Sequence, residues 1–315
     1  MLKTEIGDNI TIQQKIKGKV CLFPEKRHFR IFWLQETKTA SSAGKEPPAE
    51  AASDNTQKAG RQSAGPKRLL KEGGDDQISV IDLHSHICPG VDDGSKSVEM
   101  SIEMLQKMAS QGVTVVCATS HYYANQNSVH TFCDRRNAAL QRLYEAMPQG
   151  LPKILPGAEV AYFPRISEKE GLERLCIAGT RTLMLEMPFC EWNSLQVEEV
   201  HSLVLDRGLD VVLVHPERFC FSKGNKAYLE QLAKMPLAFQ LNAEGFLHWR
   251  TRKQSLELLR MTKTPLMGSD SHNLTSRAPN LGDGRKVVAR KLGEEFLAKI
   301  DANAARLTAQ AEEKV

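Results

Sequence analysis

From Ile78 onward, short apolar runs alternate with segments in which apolar residues recur at helical spacing. The apolar runs are rich in β-branched residues and predict seven strands, with the sequences ISVIDL, VTVVCAT, KILPGAEV, TLMLEM, DVVLVH, LAFQLN and TPLMGS. The segments between them predict helices, for example SVEMSIEMLQKMASQG and SLQVEEVHSLVLDRG. Strands that alternate with helices indicate parallel pairing and an α/β fold. The periodicity fits a (β/α) barrel and an open doubly wound sheet equally well.

The first 77 residues follow a different pattern. Residues 36–77 are rich in alanine, serine, glycine, proline and charge, and they contain almost no large apolar side chains. Burial cannot offset the entropy of ordering such a segment, so we predict that it is disordered. An apolar patch at residues 20–34 is too short to form a core of its own. We therefore predict a weakly structured and then disordered extension over 1–77, followed by one folded domain over 78–315.

Polar side chains stand where five of the seven predicted strands end. They are histidines and carboxylates, namely His84, His86, His121, Glu159, His215, Asp270 and His272. Each alone has an ordinary explanation as a cap or a hydrogen-bonded polar residue, and VDDG at 91–94 is a common turn sequence. The carboxyl ends of the strands of a (β/α) barrel converge on one face, however, so these residues would become neighbours. Their joint placement predicts a metal site.

The kind of metal follows from the donor types. Imidazole and carboxylate donors without a thiolate favour manganese, iron or zinc over a structural cysteine–zinc site. The candidate ligands are too many for one ion, so we predict two or three ions with Glu159 as a bridge. Clustered ions are typical of phosphoester hydrolysis, where they activate water and stabilise the attacking and leaving oxygens.

Two arginines follow the predicted ligands closely. Arg218 lies three residues after His215 in HPER, and Arg277 lies five residues after His272 in SDSHNLTSR. A guanidinium group can hold a phosphate with two parallel hydrogen bonds. We therefore predict that both arginines contact the phosphate of the substrate.

The charge, the lengths of the apolar runs and the cysteine spacing limit the kinds of partner and the cellular location that we expect. The net charge of +4 is small and no basic stripe is interleaved with aromatic residues, so nothing indicates a nucleic-acid partner. No apolar run approaches the roughly 20 residues of a membrane span, and we expect no membrane insertion. The seven cysteines include no CxxC pair. This usage is typical of reduced thiols and predicts a cytoplasmic protein.

The motifs together resemble a known family. DLHSHICPGVDDGSKS, ATSHY, GAEV, VHPERF and GSDSHN occur in this order between residues 82 and 273. They are similar to motifs of the PHP (polymerase and histidinol phosphatase) superfamily, and specifically of its manganese-dependent bacterial protein-tyrosine phosphatases. Those enzymes accompany capsular and exopolysaccharide gene clusters and dephosphorylate the tyrosine-rich tail of a partner tyrosine autokinase. The resemblance implies a distorted seven-stranded (β/α)7 barrel and the same activity for residues 78–315, whereas the extension has no counterpart in the family.

The resemblance also assigns residues. It implies a Mn2+ site of two or three ions with the ligands His84, His86, Asp93, His121, Glu159, His215, Asp270 and His272. In the DDG element it favours Asp93 over Asp92 as the ligand, and it implies that Arg218 and Arg277 bind phosphate. No residue is identified as a general acid. A small-molecule phosphatase of the histidinol-phosphate type and a metal-dependent nuclease remain alternatives, because both would use the same ions. A metal sensor without catalytic activity is a further alternative, but it would be expected to lack some of these ligands.

Overall fold

The computed structural model describes residues 13–16, 19–22 and 79–309 of the 315-residue chain. Strands β1 (Gln13–Ile16) and β2 (Lys19–Leu22) pair in antiparallel fashion and belong to a first unit, 1–75, whereas the other elements belong to a second unit, 76–315. The predicted disordered segment 36–77 and most of the apolar patch lie outside the described residues. The predicted domain boundary after residue 77 also lies there and stays a prediction.

In the described part of the second unit, helices separate most of the successive strands. The strands are β3 (Val80–Ser85), β4 (Val113–Ala118), β5 (His121–Tyr122), β6 (Lys153–Pro156), β7 (Glu159–Ala161), β8 (Thr182–Glu186), β9 (Asp210–Val214), β10 (Ala238–Asn242) and β11 (Thr264–Gly268). The helices are α1 (Val98–Ala109), α2 (Val129–Ala146), α3 (Ser194–Leu205), α4 (Lys223–Leu232), α5 (Ala243–Leu247), α6 (Trp249–Met261), α7 (Leu281–Leu292) and α8 (Glu294–Thr308). The exceptions are that β5 follows β4 directly, β7 follows β6 directly, and only short 3-10 turns lie between β7 and β8. The alternation elsewhere confirms the predicted α/β architecture.

These strands form two parallel sheets. One sheet has the order β3-β4-β6, and the other has the order β11-β10-β9-β8-β7-β5. A parallel bridge between Ser85, the last residue of β3, and Ser271, just beyond β11, connects them. Every residue of β8 and of β10 is buried, as expected for strands covered on both faces.

The predicted closed barrel of seven strands is not confirmed. The predicted run KILPGAEV divides into β6 and β7, and the chain forms one further short strand, β5, beyond the predicted run VTVVCAT, after a break at Thr119 and Ser120. Before each break the chain pairs in the smaller sheet, and after it the chain pairs in the larger one. Gly157 lies at the second break, where an added Cβ would stand 3.3 Å from the Thr119 side chain. The described strands of the second unit therefore number nine, in two sheets that do not close.

The first four helices begin at a residue whose side chain caps them. The side chains of Ser97, Ser128, Asn193 and Ser222 accept a hydrogen bond from the first turn of α1, α2, α3 and α4. Among the described helices, none combines the length and apolar character needed to cross a bilayer.

Candidate metal centre

The predicted ligands come together at the carboxyl ends of the strands. His84 lies near the end of β3, and His121 and Glu159 begin the short strands β5 and β7. His215 follows β9 directly, and Asp270 follows β11 after one serine. All the predicted histidine and carboxylate ligands except Asp93 and His121 are at most 3% exposed. The sequence-based expectation that these positions would be neighbours therefore agrees with the fold.

Glu159 lies at the centre of the cluster. Its Oε2 atom is 3.3 Å from Nε2 of His84, 3.3 Å from Nε2 of His86 and 2.8 Å from Nδ1 of His121. Its other oxygen, Oε1, lies 2.8 Å from Nε2 of His215. Four imidazole rings thus surround one carboxylate that is completely buried.

Several buried atoms of the cluster lie close to neighbouring donors or acceptors but make no hydrogen bond among the described residues. They include Oε2 of Glu159, Nδ1 of His121 and Nε2 of His272. Buried polar atoms are nearly always satisfied in native proteins, so such a concentration at one place requires an explanation. Imidazole nitrogens and carboxylate oxygens that converge in this way, several of them without a hydrogen bond, form the donor set of a transition-metal site. The residues present therefore fit bound metal ions.

Three overlapping groups of donors among the described residues are compact enough to hold an ion. Within each group the donor atoms lie within 4.8 Å of one another. One group contains His84, His86 and Glu159, and a second contains His86, Asp93, His121 and His272. A third adds Glu186 to His121 and Glu159. The sharing of His86, His121 and Glu159 between groups is the arrangement expected for neighbouring ions with common ligands.

The two aspartates of the DDG element have different surroundings. Oδ2 of Asp92 lies 2.7 Å from Nδ1 of His86 and accepts a hydrogen bond from the backbone N–H of His121. A carboxylate in this position fixes the ring orientation of a metal-binding histidine. Asp93 instead directs its Oδ1 to within 3.3 Å of Nε2 of His272. The assignment of Asp93 as the ligand stays a prediction, and this geometry supports it.

Position 94 of the DDG element has no room for a side chain, which explains its glycine. A Cβ atom at this position would lie 2.2 Å from the carbonyl oxygen of His86 and 2.4 Å from its Cβ. Its N–H donates to Oδ1 of Asp92, which keeps that side chain beside the ring of His86. The predicted turn is therefore also a close contact between the DDG segment and the end of β3.

The two predicted phosphate-binding arginines meet at Asp270. A side-chain nitrogen of Arg218 lies 2.6 Å from Oδ2 of Asp270, and one of Arg277 lies 2.7 Å from Oδ1. The side chains of these arginines are about one-third exposed, whereas that of Asp270 is buried. Two partly exposed guanidinium groups thus contact a buried carboxylate of the cluster.

Glu186, the last residue of β8, is a member of the cluster that the sequence analysis did not identify. Its Oε1 lies 3.4 Å from Nε2 of His215. Burial, together with the charge of Glu159, raises the pKa of Glu186 to about 7. The sequence signal was present, because TLMLEM places one carboxylate inside an otherwise apolar strand.

Two of the candidate ligands have left-handed backbone conformations. The φ angles are 35° at His215 and 52° at Asp270, a region that non-glycine residues seldom adopt. Backbone hydrogen bonds hold both residues, since the N–H of His215 donates to Gln240 and that of Asp270 donates to His84. Such conformations concentrate at functional sites, where the surrounding structure stabilises them.

Two curated relatives match about 70% of this chain. Tyrosine-protein phosphatase CpsB of Streptococcus agalactiae serotype V is 26% identical over an alignment of 238 residues, and the match covers 69% of this chain and 92% of the relative. Tyrosine-protein phosphatase YwqE of Bacillus subtilis is 26% identical over an alignment of 234 residues, and the match covers 71% of this chain and 90% of the relative. Both similarities extend over nearly the whole of the relatives.

A solved structure and a family model agree with these relatives. The structure, described as YwqE from Bacillus subtilis and CpsB from Streptococcus pneumoniae, unique metal-dependent tyrosine phosphatases, matches with a TM-score of 0.61 and 25% identity. The match covers 73% of this chain and 94% of that one. The model of the family described as "Capsular polysaccharide synthesis, CpsB/CapC" matches residues 80–308. The chain therefore belongs to the CpsB/CapC family.

Proposed function

We propose that this protein is a metal-dependent protein-tyrosine phosphatase. The observation that carries the proposal is the convergence of three histidine nitrogens on the buried Oε2 of Glu159, next to two partly exposed arginines at Asp270. When bound, two or three Mn2+ ions would activate water and stabilise the charge that develops on the phosphate oxygens. Iron and zinc suit the same donors.

The protein's own residues would bind the metal ions and hold the phosphate of the substrate. The donors for the ions are His84, His86, Asp93, His121, Glu159, Glu186, His215, Asp270 and His272. Arg218 and Arg277 would hold the non-bridging oxygens of the phosphate, each through the fork of its guanidinium group. A phenolate leaving group has a pKa of about 10 and needs less protonation than an alkoxide. The absence of an assigned general acid is therefore compatible with a tyrosine phosphate ester.

Two aromatic residues beside the cluster support an aryl substrate. The ring of Phe189 lies 6.4 Å from that of His215, is nearly parallel to it, and is 56% exposed. The ring of Tyr123 lies 5.4 Å from that of His121. His215 and His121 contact different oxygens of Glu159, so the two aromatic rings flank the centre at different places. They would contact the phenyl ring of a phosphotyrosine whose phosphate lies between the arginines.

The physiological substrate would be a phosphotyrosine protein, and we propose the tyrosine-rich tail of a bacterial tyrosine autokinase that regulates capsule or exopolysaccharide synthesis. The family description and the names of the relatives support this proposal. We also propose a cytoplasmic location, in line with the buried thiols of Cys88, Cys117, Cys133 and Cys176, which form no disulfide bonds.

The decisive experiment compares substrates with the full-length chain. With Mn2+, we expect hydrolysis of a phosphotyrosine peptide to exceed that of histidinol phosphate and of an oligonucleotide, and we expect chelation to abolish it. Preferential hydrolysis of histidinol phosphate or the oligonucleotide would favour one of the alternatives. Activity that survives chelation, or none with any of the three metals, would refute the proposal.

Substitution of Phe189 by alanine tests the aryl contact. Aromatic pairs contribute about 0.5–1.5 kcal/mol, so we expect KM for a phosphotyrosine peptide to rise about 2- to 10-fold. The kcat/KM for an alkyl phosphate such as β-glycerophosphate should not change. Phe221, which is 60% exposed, provides the matched control through Phe221→Ala. An equal loss with both substrates would contradict a role in recognition of the ring.

A further inference from the structure

Strand β10 places two amide side chains against the candidate ligands. Gln240 and Asn242 are two residues apart, so they point to the same face of the strand, and both are buried. Oε1 of Gln240 lies 2.7 Å from Nδ1 of His84, and Nε2 of Gln240 lies 3.0 Å from Oδ1 of Asn242. Nδ2 of Asn242 lies 2.8 Å from Oδ2 of Asp270. The two amides thus connect one candidate ligand on β3 with another that follows β11.

The direction of these hydrogen bonds is fixed at the Asp270 end. An ionised carboxylate only accepts, so Asn242 must present its NH2 group to Asp270 and its oxygen to Gln240. Gln240 must then donate its NH2 group to Asn242 and turn its oxygen toward His84. The Nδ1 atom of His84 must therefore carry a hydrogen. In the neutral ring this leaves the lone pair on Nε2, which lies 3.3 Å from Oε2 of Glu159.

We propose that Gln240 and Asn242 are positioning residues that together set the tautomer of His84 and the orientation of Asp270 for binding of a divalent cation. The pair leaves the lone pair of Nε2 of His84 free to bind a metal ion. It also occupies Oδ2 of Asp270, the oxygen that Arg218 contacts, so that Oδ1 is the oxygen near His84 and His86. The proposal concerns metal binding and does not require that the protein hydrolyse phosphotyrosine.

The surrounding backbone is built to hold this amide pair. Gly268, which pairs with Asn242, faces it closely, since a Cβ there would lie 2.9 Å from Nε2 of Gln240 and 2.7 Å from Cβ of His84. The backbone N–H of Asn242 donates to Oε1 of Glu217, and the carbonyl oxygen of Gln240 accepts from His215. Both amides are therefore anchored through their main chain as well as through their side chains.

Measurement of Mn2+ affinity tests the proposal directly, with free Mn2+ followed by electron paramagnetic resonance in titrations of the full-length chain. Residues that orient metal ligands typically affect affinity by about 10- to 100-fold. We expect Gln240→Met and Asn242→Leu, which keep the approximate shape but remove the amide, to weaken binding by this factor. The buried Asn225 bonds to Trp192 and Cys190 instead, so Asn225→Leu should lower Tm without weakening Mn2+ binding.

Two further variants, Gln240→Glu and Asn242→Asp, distinguish the effect of a hydrogen-bond acceptor for His84 from the effect of an added negative charge. Gln240→Glu retains an oxygen that accepts from Nδ1 of His84 and should bind Mn2+ more tightly than Gln240→Met. Asn242→Asp adds the same charge without an acceptor for His84, and it should not recover affinity relative to Asn242→Leu. Folded Gln240→Met protein with the affinity of the parent chain would overturn the proposal, as would equal affinities for Gln240→Glu and Gln240→Met.

The tautomer itself can be read without any substitution. Long-range 15N–1H spectra of the full-length chain with diamagnetic Zn2+ should show His84 with a hydrogen on Nδ1 and Nε2 bound to metal. This result would support the proposal even if a Gln240 variant failed to fold. Coordination through Nδ1, or a hydrogen on Nε2, would overturn it.

Discussion

Replacement of Glu159 by glutamine is expected to lower kcat/KM toward a phosphotyrosine peptide about 10³-fold and to reduce the number of manganese ions bound. Both carboxylate oxygens are engaged, one with His215 and the other with three further histidines. Burial raises the pKa of Glu159, but the charges of His84 and His121 outweigh it and hold the pKa well below its ordinary value. Glutamine keeps the shape but supplies one acceptor and no charge. Loss of about 4 kcal/mol of charge stabilisation at a metal centre corresponds to this factor.

The measurement pairs steady-state kinetics with metal analysis of the dialysed protein. Glu103 is an exposed glutamate on α1, so Glu103→Gln provides the same chemical change away from the centre and should alter neither quantity. Far-UV circular dichroism would show that Glu159→Gln remains folded. Full activity and full metal content in folded Glu159→Gln would exclude a bridging role for this carboxylate.

The ends of the strands were predictable because they depend on local pattern. Short apolar runs that stop at a histidine or a carboxylate identified seven of the eight donors outside the DDG turn and placed them on one face. Glu186 was missed because it lies within an apolar run rather than after one. Its role depends on His215, which is far away in the sequence and reaches it only through the pairing of β8 with β9.

What the sequence did not predict is decided by contacts between distant segments. The division into two sheets depends on which neighbour the chain pairs with after Ser120 and after Gly157. Gln240 and Asn242 look like ordinary polar residues in a strand, and their link from His84 to Asp270 appears only when β3, β10 and β11 are adjacent. No local signal in the sequence reports such adjacency.

Arg218 and Arg277 are expected to separate turnover from metal binding. Their guanidinium groups bind opposite oxygens of Asp270, which is itself buried. Burial raises the pKa of Asp270, but the charges of Arg218 and His84 dominate and keep it well below its ordinary value. Each arginine therefore stabilises a charged candidate ligand through one N–H group. A guanidinium carries five N–H donors, so others remain to bind phosphate.

Substitution of either arginine by alanine should lower kcat about 10²- to 10³-fold, the usual effect of removing one preorganised donor to a developing charge. Mn2+ affinity should fall less, because the donors to the ions remain in place. Arg218→Lys keeps the charge without the planar fork and should recover metal affinity more than kcat. Arg135→Ala removes an exposed arginine on α2 as the control. If metal affinity and kcat fell by the same factor in both alanine variants, the arginines would act through Asp270 alone, and phosphate would have to be held by other groups.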